Sequence, residues 1–340
     1  MRDLLVVGGG PAGLATALYA ARAGLDVEVL EPHAGVLDKA CGEGLMPGAL
    51  SRLADLGVDP EGHPLRGIRY LGSGRTAVAD FSSGPGRGVR RTTLHAALRR
   101  AVDAAGVTVT DRPARAVGQH GDEVDVDGTR ARYVVAADGL HSPVRRSLGL
   151  DAPPTRRRRF GQRTHLATAP WTDHVEVHWA PHAEAYVTPV APDLVGVAVL
   201  TERRGPLTEH LAAFPALAER VADTGTGAVR GAGPLRQASR RRVAGRVLLV
   251  GDASGYVDAL TGEGVSLGLA QAEAAVAAIT AHRPDAYERS WRRVTWRYTL
   301  LTHGLLAATH LAPVRRALVP VAATVPRLFG ATVDVLARPA

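Results

Sequence analysis

The sequence predicts an α/β fold: a doubly wound parallel unit, an antiparallel sheet inserted into it, and a helical segment at the C-terminal end. Three observations predict it. Residues 4–7 are a short apolar run that leads through Gly8-Gly9-Gly10-Pro11-Ala12-Gly13 into a helical stretch. Residues 160–200 alternate between apolar and polar side chains, as antiparallel strands do. Residues 284–340 carry amphipathic helical spacing.

The elements follow in order. A strand over residues 4–7, a helix over 14–23 and a strand over Val27–Leu30 make a βαβ unit that ends at Glu31. Residues 33–48 form a Gly-rich loop around Cys41, followed by a helix over 49–56. Residues 67–81 alternate as antiparallel strands, and residues 92–105 form a helix stopped by Gly106. Strands over 107–110, 123–126 and 133–137 lead to Asp138-Gly139. The inserted sheet takes strands at 174–179, 185–188 and 194–200. A buried strand over 246–250 feeds Gly251-Asp252, a second Gly-rich loop and a helix over 264–281. Pro313, Pro320 and Pro326 are expected to break the last helices into short pieces. Gly72-x-Gly74 and residues 84–88 neither follow buried strands nor open helices, so they read as hairpin turns and supply no second dinucleotide unit. The domains expected are 1–65, 88–150 and 240–283 for the dinucleotide unit, 66–87 and 151–239 for the sheet, and 284–340 for the C-terminal helices.

Composition narrows the function classes. The chain has 340 residues, 46% apolar and 22% charged, which suits a globular protein with a full core. The net charge is +8, carried almost wholly by arginine, since Lys39 is the single lysine. No nucleic-acid motif accompanies that charge, so it reads as an Arg-rich solvated surface, the run 156–159 included, and nucleic acid is not an expected partner. Cys41 is the one cysteine, which excludes an intramolecular disulfide, and the histidines lack metal-ligand spacing. No leader pattern or uncharged apolar stretch of about twenty residues is present, so the expected location is cytoplasmic.

In the first motif Gly8 permits the tight turn, Gly10 lets the backbone approach a pyrophosphate, and Gly13 lets helix and strand pack closely. Pro11 and Ala12 open the helix, whose free N–H groups favour phosphate. Glu31, at the end of the second strand, can accept from ribose hydroxyls and disfavours a 2′-phosphate.

The later motifs carry a resemblance. Residues 133–145, around Asp138-Gly139, resemble the "DG" motif of flavoproteins built like para-hydroxybenzoate hydroxylase. Residues 248–255, around Gly251-Asp252, resemble their "GD" motif, and the order and spacing of all three motifs match. Ala40-Cys41-Gly42-Glu43-Gly44 and residues 257–265, which include Thr261-Gly262-Glu263-Gly264-Val265, resemble the geranylgeranyl reductase family of FAD-dependent oxidoreductases. The resemblance implies a Rossmann-type FAD-binding domain with an inserted antiparallel-sheet substrate domain. It implies that Asp252 accepts from a ribityl hydroxyl and that Arg91 contacts the flavin phosphates or ribityl chain. Asp138 and Asp252 are also readable as helix caps or Asx turns. The loop at Gly262, Glu263, Gly264 and Val265 can turn backbone N–H groups toward the pyrimidine edge of the flavin, and Cys41-Gly42 is expected beside it.

Reduced flavin can pass hydride to an activated double bond, as a reductase, or react with oxygen, as a monooxygenase. A non-catalytic FAD-binding or electron-relay protein is the third reading. NAD(P)H bound transiently, another reductant, or a separate flavin or NAD(P)H reductase would deliver electrons. The substrate-strand signature of the resembled family holds Glu184, Tyr186 and Thr188 in place of three aromatics, which suggests a smaller or more polar molecule than a long prenyl chain. Cys41 beside Lys39 is expected to have a lowered pKa and is the candidate catalytic residue, as proton donor, or fills space as a buried hydrophobe. His165, His178, Trp179, Tyr186 and Tyr256 are candidate pocket residues for a small-molecule substrate. The C-terminal helices, with Arg315, Arg316 and Arg327, can cover the core or lie on a membrane surface.

Overall fold

The structure, a computed structural model, describes residues 1–154 and 158–337. It opens with β1 (Arg2–Val7), α1 (Pro11–Arg22) and β2 (Val27–Leu30), then β3 (Gly44–Leu45), α2 (Pro47–Asp55) and β4 (His63–Leu65). The hairpin β5 (Gly67–Gly72) and β6 (Arg75–Asp80) is followed by β7 (Gly86–Gly88) and α3 (Arg91–Ala104). Next come β8 (Thr108–Thr110), a meander of β9 (Val117–His120), β10 (Glu123–Val126) and β11 (Thr129–Ala136), and the short α4 (Pro143–Ser147). Strands β12 (Phe160–Leu166), β13 (His174–Trp179), β14 (Ala183–Ala191) and β15 (Leu194–Thr201) precede α5 (Leu207–Leu211), α6 (Pro215–Thr224) and β16 (Arg230–Ala232). The chain finishes with β17 (Val243–Ala244), β18 (Val247–Leu249), a 3-10 turn at Gly251–Ser254, α7 (Gly264–Thr280), α8 (Ala286–Thr309), α9 (Ala312–Thr324) and α10 (Pro326–Ala337).

The first sheet runs β17-β18-β11-β1-β2-β8, parallel from β18 to β8, with β10 and β9 added on the antiparallel side of β11. Its central strands are covered on both faces, which is why residues 4–7 read as an unbroken apolar run: Leu4 and Val6 pack toward α1, α3 and α7, Leu5 and Val7 toward the meander. The second sheet runs β16-β12-β15-β14-β13-β5-β6. It is antiparallel except where β13 pairs in parallel with β5, the seam at which two separate insertions of chain meet. One face carries Val195, Val197 and Val199 under α5 and α6. The other carries Val177, Trp179 and Tyr186 under α9 and α10.

Several expectations need correction. Residues 86–88 form β7, the middle of a small three-stranded sheet with β3 and β4, rather than a turn; the turn lies before it, at Gly84. Pro320 sits inside α9 without ending it; Pro313 and Pro326 each lie in the first turn of a helix, where no N–H is missed. Arg156 and Arg157 lie outside the described residues, as do residues 338–340. Arg159, read as solvated, is buried, because Glu184 and Asp258 neutralise it. Helices α5 and α6 had no counterpart in the sequence reading. No single described helix is long and apolar enough to cross a membrane; α9 and α10 together are, but they are bent by 103° at their break.

Candidate active site

The opening turn is held by contacts only glycine allows. Gly8 has φ +102, and a Cβ there would lie 2.5 Å from the Ala137 carbonyl oxygen; a Cβ on Gly13 would overlap the Gly8 carbonyl oxygen. Gly10 is the N-cap of α1 and brings no side chain to the first N–H groups of the helix. A Cβ on Gly10 would meet nothing nearer than Arg91 Nη2, at 3.9 Å. Helix α7 brings the second motif against the first: a Cβ on Gly268 would lie 3.2 Å from Ala12 Cβ, and one on Gly251 2.9 Å from it. The opening turn and the Gly251–Gly264 loop therefore border one crevice. Gly10, Pro11, Ala12, Gly139, Gly251, Asp252, Gly264 and Val265 are all partly exposed along it, while the strands beneath are buried.

Charged groups line that crevice with unsatisfied atoms. Arg91 is buried beside Gly10 and its Nη1 has no hydrogen-bond partner. Burial holds its pKa below the usual arginine range, opposed by Cys41, Asp252, Asp38 and Glu43. Burial likewise pushes the Asp252 carboxyl up, against Lys39, Arg91 and Arg145. Asp138 Oδ2 accepts from the Val144 N–H at 3.0 Å in the first turn of α4, whose N-cap is Ser142, and its Oδ1 is buried without a partner. Glu31 accepts from the Gly9 N–H at 2.7 Å and pairs with His33 at 2.7 Å. Glu263, at the head of α7, has a buried, unpartnered Oε2, and burial pushes its carboxyl to about 7. An unpaired buried cation at a bare helix N-terminus fits a pyrophosphate, and the acceptor-rich stretch at Asp138 and Asp252 fits hydroxyl donors. The residues thus suit FAD along the crevice.

Cys41 is partly exposed and shares its surroundings with Arg91 and Tyr256. Its thiol pKa is raised, first by burial and then by the Glu43 carboxylate, with Arg91 and Arg163 opposing. The expectation of a thiolate lowered by Lys39 is therefore corrected: Lys39 is an exposed residue whose Nζ lies near Gly139 and whose charge acts on Asp252. Gly42 accepts through its carbonyl from Thr188 Oγ1 at 2.9 Å, so the sheet floor touches this loop directly.

The pocket candidates divide. Trp179, Tyr186 and Tyr256 gather in one apolar cluster with Met46, Leu260, Tyr70 and Phe329, and Tyr186 donates to the Leu260 carbonyl at 3.0 Å. His165 lies on the same sheet face but bonds Glu43. His178 does not join them: strand alternation turns it to the opposite face, against Glu176 at 3.1 Å and edge-on to Phe214. Glu184 is fully buried between Arg159 and Arg315, at 2.6 Å from each, so its carboxylate is closed off. Aromatics supplied by β5 and α10 fill in for those the strand lacks: Tyr70 packs on Trp179 at 5.5 Å and on Phe329 at 4.8 Å.

Sequence reasoning missed two residues here. Arg145, buried, donates to the Ala253 and Leu140 carbonyls and pairs with Asp151, clamping the loop after β11 to the loop after β18. Glu43, buried between two glycines, bonds both Arg91 N–H and His165. An acid isolated in a Gly-rich stretch was the available signal for it.

Comparison with known proteins agrees with this geometry. The family described as FAD binding domain matches residues 1–288. Menaquinone reductase of Mycobacterium tuberculosis (strain ATCC 25618 / H37Rv) is 33% identical over 306 residues, covering 78% of this chain and 74% of that protein. Digeranylgeranylglycerophospholipid reductase 1 of Methanopyrus kandleri is 31% identical over 303 residues, covering 78% and 77%. Among solved structures, a geranylgeranyl bacteriochlorophyll reductase-like protein of Thermoplasma acidophilum superimposes with TM-score 0.81 at 21% identity, over 95% of this chain and 91% of that one. A flavin-dependent brominase does so with TM-score 0.82 at 17% identity, over 99% and 93%. The chain thus belongs to the FAD binding domain family and is an FAD-dependent oxidoreductase.

Proposed function

We propose that this protein is a reductase of the geranylgeranyl reductase type that saturates a double bond in an isoprenoid-like molecule. The observation that carries the reading is the apolar cluster of Trp179, Tyr186, Tyr256, Tyr70 and Phe329, which adjoins the Gly251–Gly264 loop while Glu184 is closed off by two arginines. An apolar cluster at this place suits hydrocarbon better than a polar natural product. The names of both relatives given above denote isoprenoid lipids, which supports the same substrate class.

Residues 1–65, 88–150 and 240–283 form the cofactor unit in this reading, 66–87 and 151–239 the substrate sheet, and 284–340 its helical cover. Gly8, Gly10, Pro11, Ala12, Gly13 and Arg91 hold the pyrophosphate, Glu31 the ribose, and Asp138 and Asp252 the polyol. Gly251, Gly262, Glu263, Gly264 and Val265 meet the ring, with Cys41 and Gly42 across from them. The bound cofactor, once reduced, would supply the hydride. Cys41, kept as a thiol by burial and Glu43, holds the proton that the other carbon of the double bond requires. NAD(P)H bound transiently, or a separate reductase, supplies the electrons.

The substrate reaches the site from a bilayer. Trp296, Leu300, Leu311, Val314, Val321, Val325, Leu328 and Val335 are exposed on α8–α10, interspersed with exposed Arg293, Arg297, Arg316 and Arg327. Apolar side chains among arginines suit peripheral contact with anionic lipid.

The deciding experiment is single turnover of the reduced holoprotein with an isoprenoid quinone and with a geranylgeranyl lipid, with and without oxygen. A product heavier by two hydrogens, formed anaerobically, is expected. A product that carries one added oxygen and forms only in air would replace this reading with a monooxygenase. Flavin oxidation indifferent to every substrate would replace it with an electron relay.

A further inference from the structure

We propose that Glu43, held by His165, is a positioning residue that fixes the Cys41 sulfur and the Arg91 backbone at the start of α3 together, and so ties the substrate sheet to the cofactor turn. The proposal rests on the reading above for the place of the flavin, and goes beyond it in assigning a role to Glu43 and a route between the two sheets.

Glu43 has φ +61, a left-handed backbone that a side chain adopts only where its surroundings hold it. Here each of its polar groups is engaged. Its N–H donates to Cys41 Sγ at 3.4 Å, and its carbonyl accepts from the Val89 N–H at 2.7 Å. Oε1 accepts from the Arg91 N–H at 3.0 Å, which places a negative charge at the start of α3. Oε2 lies 2.7 Å from His165 Nε2. Gly196 on the neighbouring β15 leaves the space: a Cβ there would lie 2.8 Å from Oε2.

The protons are fixed by what arginine can do. Arg163 only donates, so His165 Nδ1, at 3.2 Å from Arg163 Nη1, accepts, and the Nε2 proton points at Glu43. Arg163 also bonds Asp38 and the Lys39 carbonyl, and Arg230 holds Asp38 from β16. The segment bearing Lys39 and Cys41 is thus fastened to β12 and β16 from below. The route continues into the cofactor turn through α3. The Leu37 N–H donates to His95 Nδ1 at 3.3 Å, which leaves His95 Nε2 to donate to the Gly9 carbonyl at 3.0 Å. A shift of β12 therefore reaches the dinucleotide turn through Glu43 and the first turn of α3. The groups facing the thiol are Glu43, Arg91, Arg163 and the Tyr256 phenol; the Glu43 carboxylate opposes ionisation, after burial itself, while the Glu43 N–H and the two arginines favour it.

Cys41 is the sole cysteine, so alkylation of the holoprotein with iodoacetamide across pH reports this thiol alone. Glu43→Gln keeps size and removes charge. It should move the midpoint of the alkylation profile to lower pH with the plateau rate unchanged, so that the rate at about pH 8 rises about threefold or more. Glu43→Asp keeps the charge but shortens the reach. It should leave the midpoint in place and weaken FAD binding about tenfold. His165→Leu should weaken FAD binding comparably, and His165→Gln, which keeps a donor toward Glu43, should restore most of it. If Glu43→Gln is isolated without FAD, the His165 pair carries the test. A Glu43→Gln profile that overlays the native one, a plateau that rises without a shift of midpoint, or equal FAD affinity in the two His165 variants would overturn the proposal. None of these readouts needs turnover, so a chain that showed them but failed to reduce any isoprenoid would lose the function above and keep this inference.

Discussion

Replacing Arg91 by methionine should make the apoprotein sturdier and the holoprotein weaker, and the opposite signs are the test. The guanidinium is buried, with Nη1 unpartnered, and burial works against its charge. Leaving such a donor unsatisfied costs about 1–3 kcal/mol, and methionine of similar length removes that cost while filling the space. The backbone N–H of residue 91 still donates to Glu43, so the start of α3 is kept. For a chain of this size, 1 kcal/mol corresponds to a rise in Tm of about 2 °C. With FAD the balance reverses. The lost charge-assisted hydrogen bonds to pyrophosphate contribute about 1.5–3 kcal/mol, which weakens Kd by about 10- to 150-fold. Flavin titration gives Kd, and thermal melts of the apoprotein at the same pH and salt give the other sign. If Arg91→Met lowered the apoprotein Tm and left Kd within about twofold, Arg91 would be a structural ion-pair residue and the pyrophosphate would lie elsewhere.

Glu263 should make the apoprotein pH-sensitive. Its folded carboxyl is raised to about 7 from 4.5, so its contribution is fully present below pH 4.5 and is lost as pH rises through 7. Glu263→Gln should therefore gain about 3 kcal/mol on the native protein between those limits, by urea unfolding at each pH, and a constant difference would contradict the buried, unpartnered carboxyl. Glu184→Leu should cost about 3–5 kcal/mol, because it strands Arg315 without its carboxylate and leaves Arg159 with Asp258 alone, and a loss under 1 kcal/mol would mean that Arg315 finds water. Trp296→Glu with Leu300→Glu should abolish sedimentation with anionic vesicles while sparing FAD content, and unchanged sedimentation would remove the lipid contact from α8.

Much of the fold was legible because local chemistry and tertiary need coincide there. The strand at residues 4–7, the glycine turn and the helix after it read correctly, since a strand covered on both faces must be apolar and a turn that leaves no room for a Cβ must be glycine. The ends of helices α3 and α7 fell within a residue or two of expectation. What escaped depends on partners far along the chain. The parallel pairing of β5 with β13 joins segments about a hundred residues apart, and nothing in either strand announces it. Arg159 looked solvated because it ends an arginine run; Glu184 and Asp258, which bury it, are distant in sequence. Adjacency along the chain suggests that Lys39 activates Cys41, but adjacency is not proximity in space, and the charges that act on the sulfur are those of Glu43, Arg91 and Arg163. His178 and Trp179 could not both serve one pocket on one strand, a constraint period-two alternation already contained.

The crevice poses two opposite electrostatic problems at its two ends. At the opening turn a buried guanidinium and uncapped helix N–H groups lack an anion. Toward β18, burial raises the pKa values of the Asp138 and Asp252 carboxyls, and Asp138 Oδ1 has no donor. A phosphate alone relieves the first and leaves the second, and a sugar alone does the reverse. A pyrophosphate joined to a polyhydroxylated chain would relieve both, and in the proposed reading the flat ring beyond the polyol meets the Gly262–Gly264 loop. The order of complementary groups along the crevice selects FAD over a simpler anion, which the glycine turn by itself could not do. Because each end is costly when empty, cofactor binding and stability are one equilibrium, and the gain in Tm on adding FAD should exceed what a phosphate or a nucleotide monophosphate gives at equal saturation.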